Sequence, residues 1–140
     1  MLNCRTTAAD RRDEPMGANS SVVEQAYSAF GRGDIPSLLA LLDDDVEWSS
    51  PKTLPQGGQF RGKGEVARFF DLVGGAWDPL SVAVERLGEL GDDLVVVVVR
   101  ADGTRRGGHP SQYGAVHVFD VRNGKICRFR EYTDLDSPLH

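Results

Sequence analysis

The chain has 140 residues, 40% of them hydrophobic and 26% charged, a length and balance that suit one domain with a real core. Its formal net charge is −5, and its arginines are dispersed apart from short pairs such as Arg11-Arg12 and Arg105-Arg106. That argues against a nucleic-acid partner, because neutralising phosphates needs clustered cations.

Residues 1–18 mix charges of both signs with Thr, Pro and Gly and show no periodicity, so they are expected to form a disordered tail. Met16 is a candidate alternative start. The domain is expected over 19–135, with 136–140 as a second tail. Ser21 and Glu24 have the spacing of a capping box, and Val23, Ala26, Tyr27 and Phe30 follow as one helical stripe. Gly31 and Gly33 end that helix. Asp34 is placed to cap a second helix with Ile35, Leu38, Leu39, Leu41 and Leu42 inward, stopped by three aspartates at 43–45. "VEWSS" reads as a first strand, and Pro51 to Arg61 as a loop rich in Pro, Gly and Gln.

A third helix carries Val66, Phe69, Phe70 and Val73 and ends at Gly74-Gly75, with Trp77 just beyond. The apolar period then changes from 3.6 to about 2, which predicts strands near 80–88, 93–102, 111–121 and 125–133. Helices followed by an antiparallel meander predict an α+β domain with the helices packed on one face of a curved sheet. Leu94 to Val99 lacks alternation, so both faces of that strand should be covered. Helices can cover only one, which predicts a homodimer through the other.

His117 lies among Ala115, Val116, Val118 and Phe119, and what it faces depends on the turn "VRNGKI". A two-residue loop at Asn123-Gly124 pairs Val121 with Ile126 and sets His117 opposite Arg130. A three-residue loop, Arg122 to Gly124, pairs Val121 with Lys125 and moves every later side chain to the other face. The second reading sorts the chemistry better. It gathers Ala115, His117, Phe119, Cys127, Phe129 and Glu131 on one face and sends Arg128 and Arg130 to the other, with Asp120 diagonal to Arg128. His117 is then opposite Phe129 with Glu131 diagonal to it, and Tyr113 is opposite Thr133. A histidine, a glutamate and a tyrosine among apolar groups suit a pocket in which a proton is moved. The plainer reading is that a lone strand histidine is a hydrogen-bonded core residue and Glu131 a rim or ion-pairing group.

His109, His117 and His140 share no metal-ligand spacing, and no phosphate loop or nucleophile elbow occurs, so neither metal nor cofactor is expected. Cys4 and Cys127 form no CxxC pair. The longest apolar run is far shorter than the roughly 20 residues that span a membrane, and no apolar leader precedes residue 20. A cytoplasmic, non-membrane protein without a disulfide framework is expected.

The order "AYSAFGRGDIPSLLALLDDDVEW", "FRGKGEVARFF", "VHVFDVRNGKICRFREYTD" resembles the nuclear transport factor 2-like superfamily over about residues 20–135. More narrowly it resembles the SnoaL-like branch that includes polyketide cyclases, related to ketosteroid isomerase and limonene epoxide hydrolase. The resemblance implies a cone, a strongly bent, mainly antiparallel sheet wrapped round three helices, with a deep apolar pocket and frequent dimers through the outer sheet face. Carried over by position, the isomerase's catalytic aspartate falls on Ser50, its second aspartate near His117 and its tyrosine near Ala26. The epoxide hydrolase's paired Arg and Asp fall within Val97 to Ala101, where no carboxylate exists. Its second aspartate matches Glu131, while its tyrosine and asparagine match Trp48 and Ser50. Neither mechanism transfers intact, and His117 with Glu131 is the nearest equivalent of the cyclases' acid–base pair.

Two readings follow. In the first, the protein is a cofactor-independent enzyme acting on a small apolar carbonyl or polycyclic compound. His117 carries the proton, Glu131 orients it or serves as base, and Tyr113 donates to a developing oxyanion. Tyr27, Phe30, Trp48, Ser50, Phe60, Phe69, Trp77 and Phe129 form the pocket. In the second, it is a non-catalytic ligand-binding or dimerisation module.

Overall fold

A computed structural model describes residues 17–133; the expectations for the remainder of the N-terminal tail, the Met16 start, Cys4 and the C-terminal tail lie outside that range. Helix α1 (Ala18–Gly31) buries Val23, Ala26 and Ala29. It starts before the expected capping box, at a left-handed Gly17 with no side-chain cap. The acid that meets its first turn comes from a distant strand. Glu89 Oε2 accepts from the Ser20 amide at 3.1 Å and from Ser20 Oγ at 2.8 Å. A carboxylate there satisfies a free N–H and suits the positive end of the helix dipole. Asn19 Nδ2, donating to the Asp92 carbonyl at 3.1 Å, ties the same turn to a hairpin.

Asp34 caps α2 (Ile35–Leu39) as expected, its Oδ1 accepting from Ser37 N at 3.2 Å. The helix stops before Leu41, because the chain there is already committed to the sheet: Ile126 N donates to Leu41 O at 2.8 Å. The three aspartates are therefore not a stop signal. They are exposed residues of β1 (Leu42–Ser50), which begins four residues earlier than "VEWSS". The expected loop also contains a short strand, β2 (Gly58–Arg61), antiparallel to β1. Helix α3 (Gly62–Ala76) buries Val66, Phe69 and Val73.

Four long strands follow: β3 (Trp77–Leu90), β4 (Leu94–Arg105), β5 (His109–Arg122) and β6 (Lys125–Thr133). The sheet order is β2-β1-β6-β5-β4-β3, antiparallel throughout except for the parallel β1–β6 pair. This is the expected α+β architecture of three helices and a six-stranded curled sheet. Irregular register in β3 and β6 lets the strands bend so far. Val95, Val97 and Val99 point into the core at 0–1% exposure, whereas Val96 and Val98 lie half-buried on the outer face.

The decisive register differs from the expected one in where its extra residue sits. Asn123 and Gly124 both have positive φ, 53° and 77°, which is the two-residue hairpin turn that pairs Arg122 with Lys125 and Val121 with Ile126. The next pair is Asp120 with Arg128, so Cys127 is a bulge within β6 and not a member of the pocket face. The parity change falls three residues after the turn. It then sets His117 directly opposite Glu131 and Phe119 opposite Phe129, two residues further along β6 than the expected pairing of His117 with Phe129. Thr133 pairs with Ala115, and Tyr113 pairs with Ala101 of β4 instead of Thr133. On the outer face Asp120 is opposite Arg128, and its Oδ1 accepts from Arg130 at 2.7 Å.

Between β1 and β2 the chain makes a tight strap. Leu54 N donates to Pro51 O and Gly57 N to Leu54 O, and Leu54 and Gln56 are only 4% and 3% exposed. A Cβ at Gly57 would lie 1.9 Å from the Pro51 carbonyl oxygen, a backbone atom that cannot step aside. Gly57→Ala is expected to destabilise the fold by about 1–3 kcal/mol, read as a lower denaturant midpoint at unchanged slope.

Candidate functional site

The inner face of the curl closes over a pocket lined by α1, α2, α3 and strands β1, β3, β5 and β6. Its empty volume is about 590 Å³ including the open mouth. Phe30, Trp48, Phe69, Phe70, Phe119 and Phe129 supply aromatic wall, with Trp48 stacked on Phe129 at 4.1 Å between ring centroids.

Four polar side chains meet in this apolar setting as one continuous chain of hydrogen bonds. Tyr27 Oη and His117 Nδ1 are 2.5 Å apart. His117 Nε2 lies 2.9 Å from Glu131 Oε2, and Ser50 Oγ donates to Glu131 Oε1 at 2.6 Å. Both side chains of the His117–Glu131 pair are under 10% exposed. A carboxylate only accepts, so the bond to Glu131 puts a hydrogen on Nε2 and leaves Nδ1 as the atom whose state can change. The Tyr27 and imidazole ring planes are parallel to within 3°, with centroids 5.9 Å apart.

Each partner arrives from a different element. Parity along β5 turns His117 inward with Tyr113, Ala115 and Phe119, and the bulge in β6 brings Glu131 to the same side. Ser50 ends β1, beside β6 in the parallel pair. Tyr27 reaches across from α1. Burial and then the Glu131 charge push the Tyr27 phenol well above the ordinary tyrosine range, so it stays protonated.

A second polar group adjoins the first. Tyr113 lines the pocket and, like Tyr27, is raised by burial and then by Glu131, with a Gln56 hydrogen bond acting in the opposite sense. Trp77 Nε1 donates to Gln56 Oε1 at 3.1 Å. Trp48 Nε1 is buried without a hydrogen-bond partner among the described residues.

A SnoaL-like domain model matches residues 23–129. The chain belongs to the SnoaL-like family, within the nuclear transport factor 2-like superfamily. An uncharacterized Mycobacterium tuberculosis protein, Rv0034, is 31% identical over 116 residues, spanning 82% of this chain and 88% of that one. Among solved structures, an NTF2-like protein from Burkholderia pseudomallei superposes with a TM-score of 0.78 at 30% identity, covering 85% of this chain and 92% of its own. TerC, co-crystallised with polyporic acid, superposes with a TM-score of 0.77 at 26% identity over 84% and 92%.

Against this SnoaL-like frame, the sequence-predicted residues divide clearly. His117, Glu131, Tyr113, Tyr27, Phe30, Trp48, Phe69 and Phe129 all line the pocket. Ser50 does not line it but holds Glu131 from behind. Phe60, which packs edge-on against Phe69, and Trp77, which touches Gln56 and Tyr113, do not line it. Gln56, Leu80 and Val82 also line the pocket and were not expected there. Their positions depend on how the strap and β3 fold back, which no local spacing records. Tyr27, expected as wall, lines the pocket and is also the hydrogen-bond partner of His117 across 90 residues of sequence. No group of three or more His, Cys, Asp or Glu that could hold a metal occurs among the described residues, and no described helix is long and apolar enough to cross a membrane.

The two inward phenols affect the pH dependence of folding. Both titrate higher in the folded protein than in the unfolded chain, so the folded state keeps protons that the unfolded chain loses above about pH 10. Stability should be insensitive to these groups below that pH and fall as the pH rises past it. The double variant Tyr27→Phe with Tyr113→Phe should flatten the alkaline fall in denaturant midpoint.

Proposed function

We propose that this SnoaL-like protein binds a small, flat, largely apolar molecule carrying a carbonyl or acidic hydroxyl group, and moves a proton on it. The observation that carries the proposal is the unbroken chain Tyr27–His117–Glu131–Ser50 set in an aromatic pocket. Its chemistry depends on the imidazole. With Nδ1 bare, Tyr27 donates to it, and the phenol oxygen offers lone pairs toward the pocket. A proton taken from a bound molecule passes to the phenol oxygen as the phenol's own proton passes to Nδ1. With Nδ1 protonated, the ring donates to the phenol oxygen, and the phenol's proton turns to the ligand. One relay thus serves as base and then as acid. Glu131 orients the ring and stabilises the imidazolium, and Ser50 fixes Glu131. Tyr113 supplies a donor to negative charge that develops on a carbonyl oxygen. The relay supplies both proton acceptor and donor, so the proposal needs no cofactor.

One observation favours the alternative of a binding module without turnover: both ring nitrogens of His117 are already bonded within the protein. The two readings part in a single experiment. Native mass spectrometry of the protein from its source should show a retained small molecule. Deuterium uptake from heavy water into that molecule should then be accelerated by the wild type and slowed by about 10²–10⁴ in His117→Ala, with Tyr27→Phe also impaired. Tight binding with exchange at the uncatalysed rate would establish the binding module instead.

The same proposal includes a homodimer through the outer sheet face. Val96, Val98, Val116 and Val118 form a half-buried apolar strip there, and Tyr132, paired with Val116, is 55% exposed beside it. Light scattering should give twice the chain mass, and Val98→Arg combined with Tyr132→Asp should return it to the monomer value. A monomeric wild type at micromolar concentration would remove this part of the proposal.

A further inference from the structure

Among the described residues that line the pocket, Glu131 is the one acid, and no lysine or arginine lines it. The other titratable groups there are His117 and Tyr113 from β5 and Tyr27 from α1. From α2, α3 and β3 come Leu38, Phe69, Phe70, Val73, Leu80 and Val82, which carry no charge. The nearest arginines of β6 are committed elsewhere. On the outer face of the sheet Arg130 Nη2 reaches Asp120 at 2.7 Å, and Arg128 Nη2 reaches Glu47 at 3.5 Å. The Glu131 side chain is 8% exposed, and its oxygens meet Ser50 Oγ and His117 Nε2. With Nδ1 bare, both partners are neutral donors, which satisfy a carboxylate without cancelling its charge. In an apolar cavity that charge acts strongly on a second one.

We infer that the Glu131 carboxylate makes the pocket a filter for the sign of charge: neutral and cationic molecules enter, and an anion enters only together with a proton. This rests on the reading of the pocket as a small-molecule site. It narrows the ligands to carbonyl compounds and to hydroxyl compounds bound with their proton. The linkage follows from charge balance. An anion beside Glu131 puts two negative charges in one apolar cavity, with no guanidinium or ammonium among the described lining residues to offset them. One proton removes the conflict, held either by the ligand or by His117 Nδ1. The chain Tyr27–His117–Glu131 connects those two places, so the net uptake is one proton in both cases. Glu131 thus sets specificity besides orienting the ring. The filter also suits the proposed chemistry, because a molecule that arrives with its proton is one from which a base can take it.

Three probes on one flat frame test this: 2-acetonaphthone is neutral, 2-naphthoate negative and 2-naphthylmethylammonium positive. Near neutral pH the wild type should bind the ketone about 10²–10³-fold more tightly than naphthoate. The ammonium should also bind more tightly than naphthoate. Between about pH 7 and 9, naphthoate affinity should fall about tenfold per unit while that of the ketone stays level. Calorimetry in buffers of different ionisation heat should show about one proton taken up per naphthoate bound and none per ketone. Glu131→Gln, which keeps the shape and loses the charge, should shrink the ketone preference about tenfold or more. If that variant does not fold, the ammonium carries the test of sign in the wild type alone. Naphthoate bound as tightly as the ketone, or bound without proton uptake, would overturn the inference. An ammonium rejected as strongly as naphthoate, or a preference untouched in Glu131→Gln, would also overturn it, since apolar burial alone excludes both signs. Each of these results leaves the pocket reading in place. Failure of all three probes to bind would sink the two together.

Discussion

One extra residue in β6 decides what the pocket contains. Side chains alternate across a sheet with a period of two, so an extra residue reverses the facing of everything beyond it. The hairpin turn at Asn123-Gly124 alone would turn Glu131 outward and bring Arg130 in. The bulge at Cys127 restores Glu131 to the inner face, and Phe129 with it. The same shift leaves Arg128 and Arg130 outside, where they meet Glu47 and Asp120. A buried arginine beside His117 would make a different site altogether.

With Glu131 inside, the rest of the arrangement follows from the cost of burying a charge. A carboxylate in an apolar cavity has to be hydrogen-bonded, and two of its bonds come from Ser50 and His117. The first bond uses the end of β1, which lies beside β6 only because those two strands run parallel. The second fixes the hydrogen on Nε2 and so presents Nδ1 to Tyr27. Burial, and after it this negative charge, keeps both inward phenols protonated. Electrostatics and register are thus the same constraint at two scales. The strand offset selects the side chain, and the charge on that side chain assigns the hydrogens around it.

Legibility in the sequence followed the range of the interactions. The stripe Val23, Ala26, Tyr27, Phe30, the Asp34 cap and the long strands are patterns within one element, and they could be read directly. Errors came where a distant contact outweighed a local signal. The Ser21–Glu24 capping pattern yields to Glu89 from β3, and the aspartates at 43–45 continue into a strand because Leu41 and Leu42 join β6. Sorting side chains by face puts the extra residue in the loop, because that pattern shows that an extra residue exists but not where it sits.

The sequence by itself determined the class of fold, the parity that makes β5 amphipathic, and which ionisable residues could share a face, because these depend on spacing within single elements. It also carries the family resemblance, which rests on the order of those elements. Only the tertiary structure decided that Tyr27 is the partner of His117, that Ser50 braces Glu131, and that Gln56 lines the pocket from a strap expected to be plain loop. The physical reason is that hydrogen-bond direction belongs to pairs of atoms brought within about 3 Å. Residues 90 positions apart reach that distance only after the whole sheet has curled around the helix.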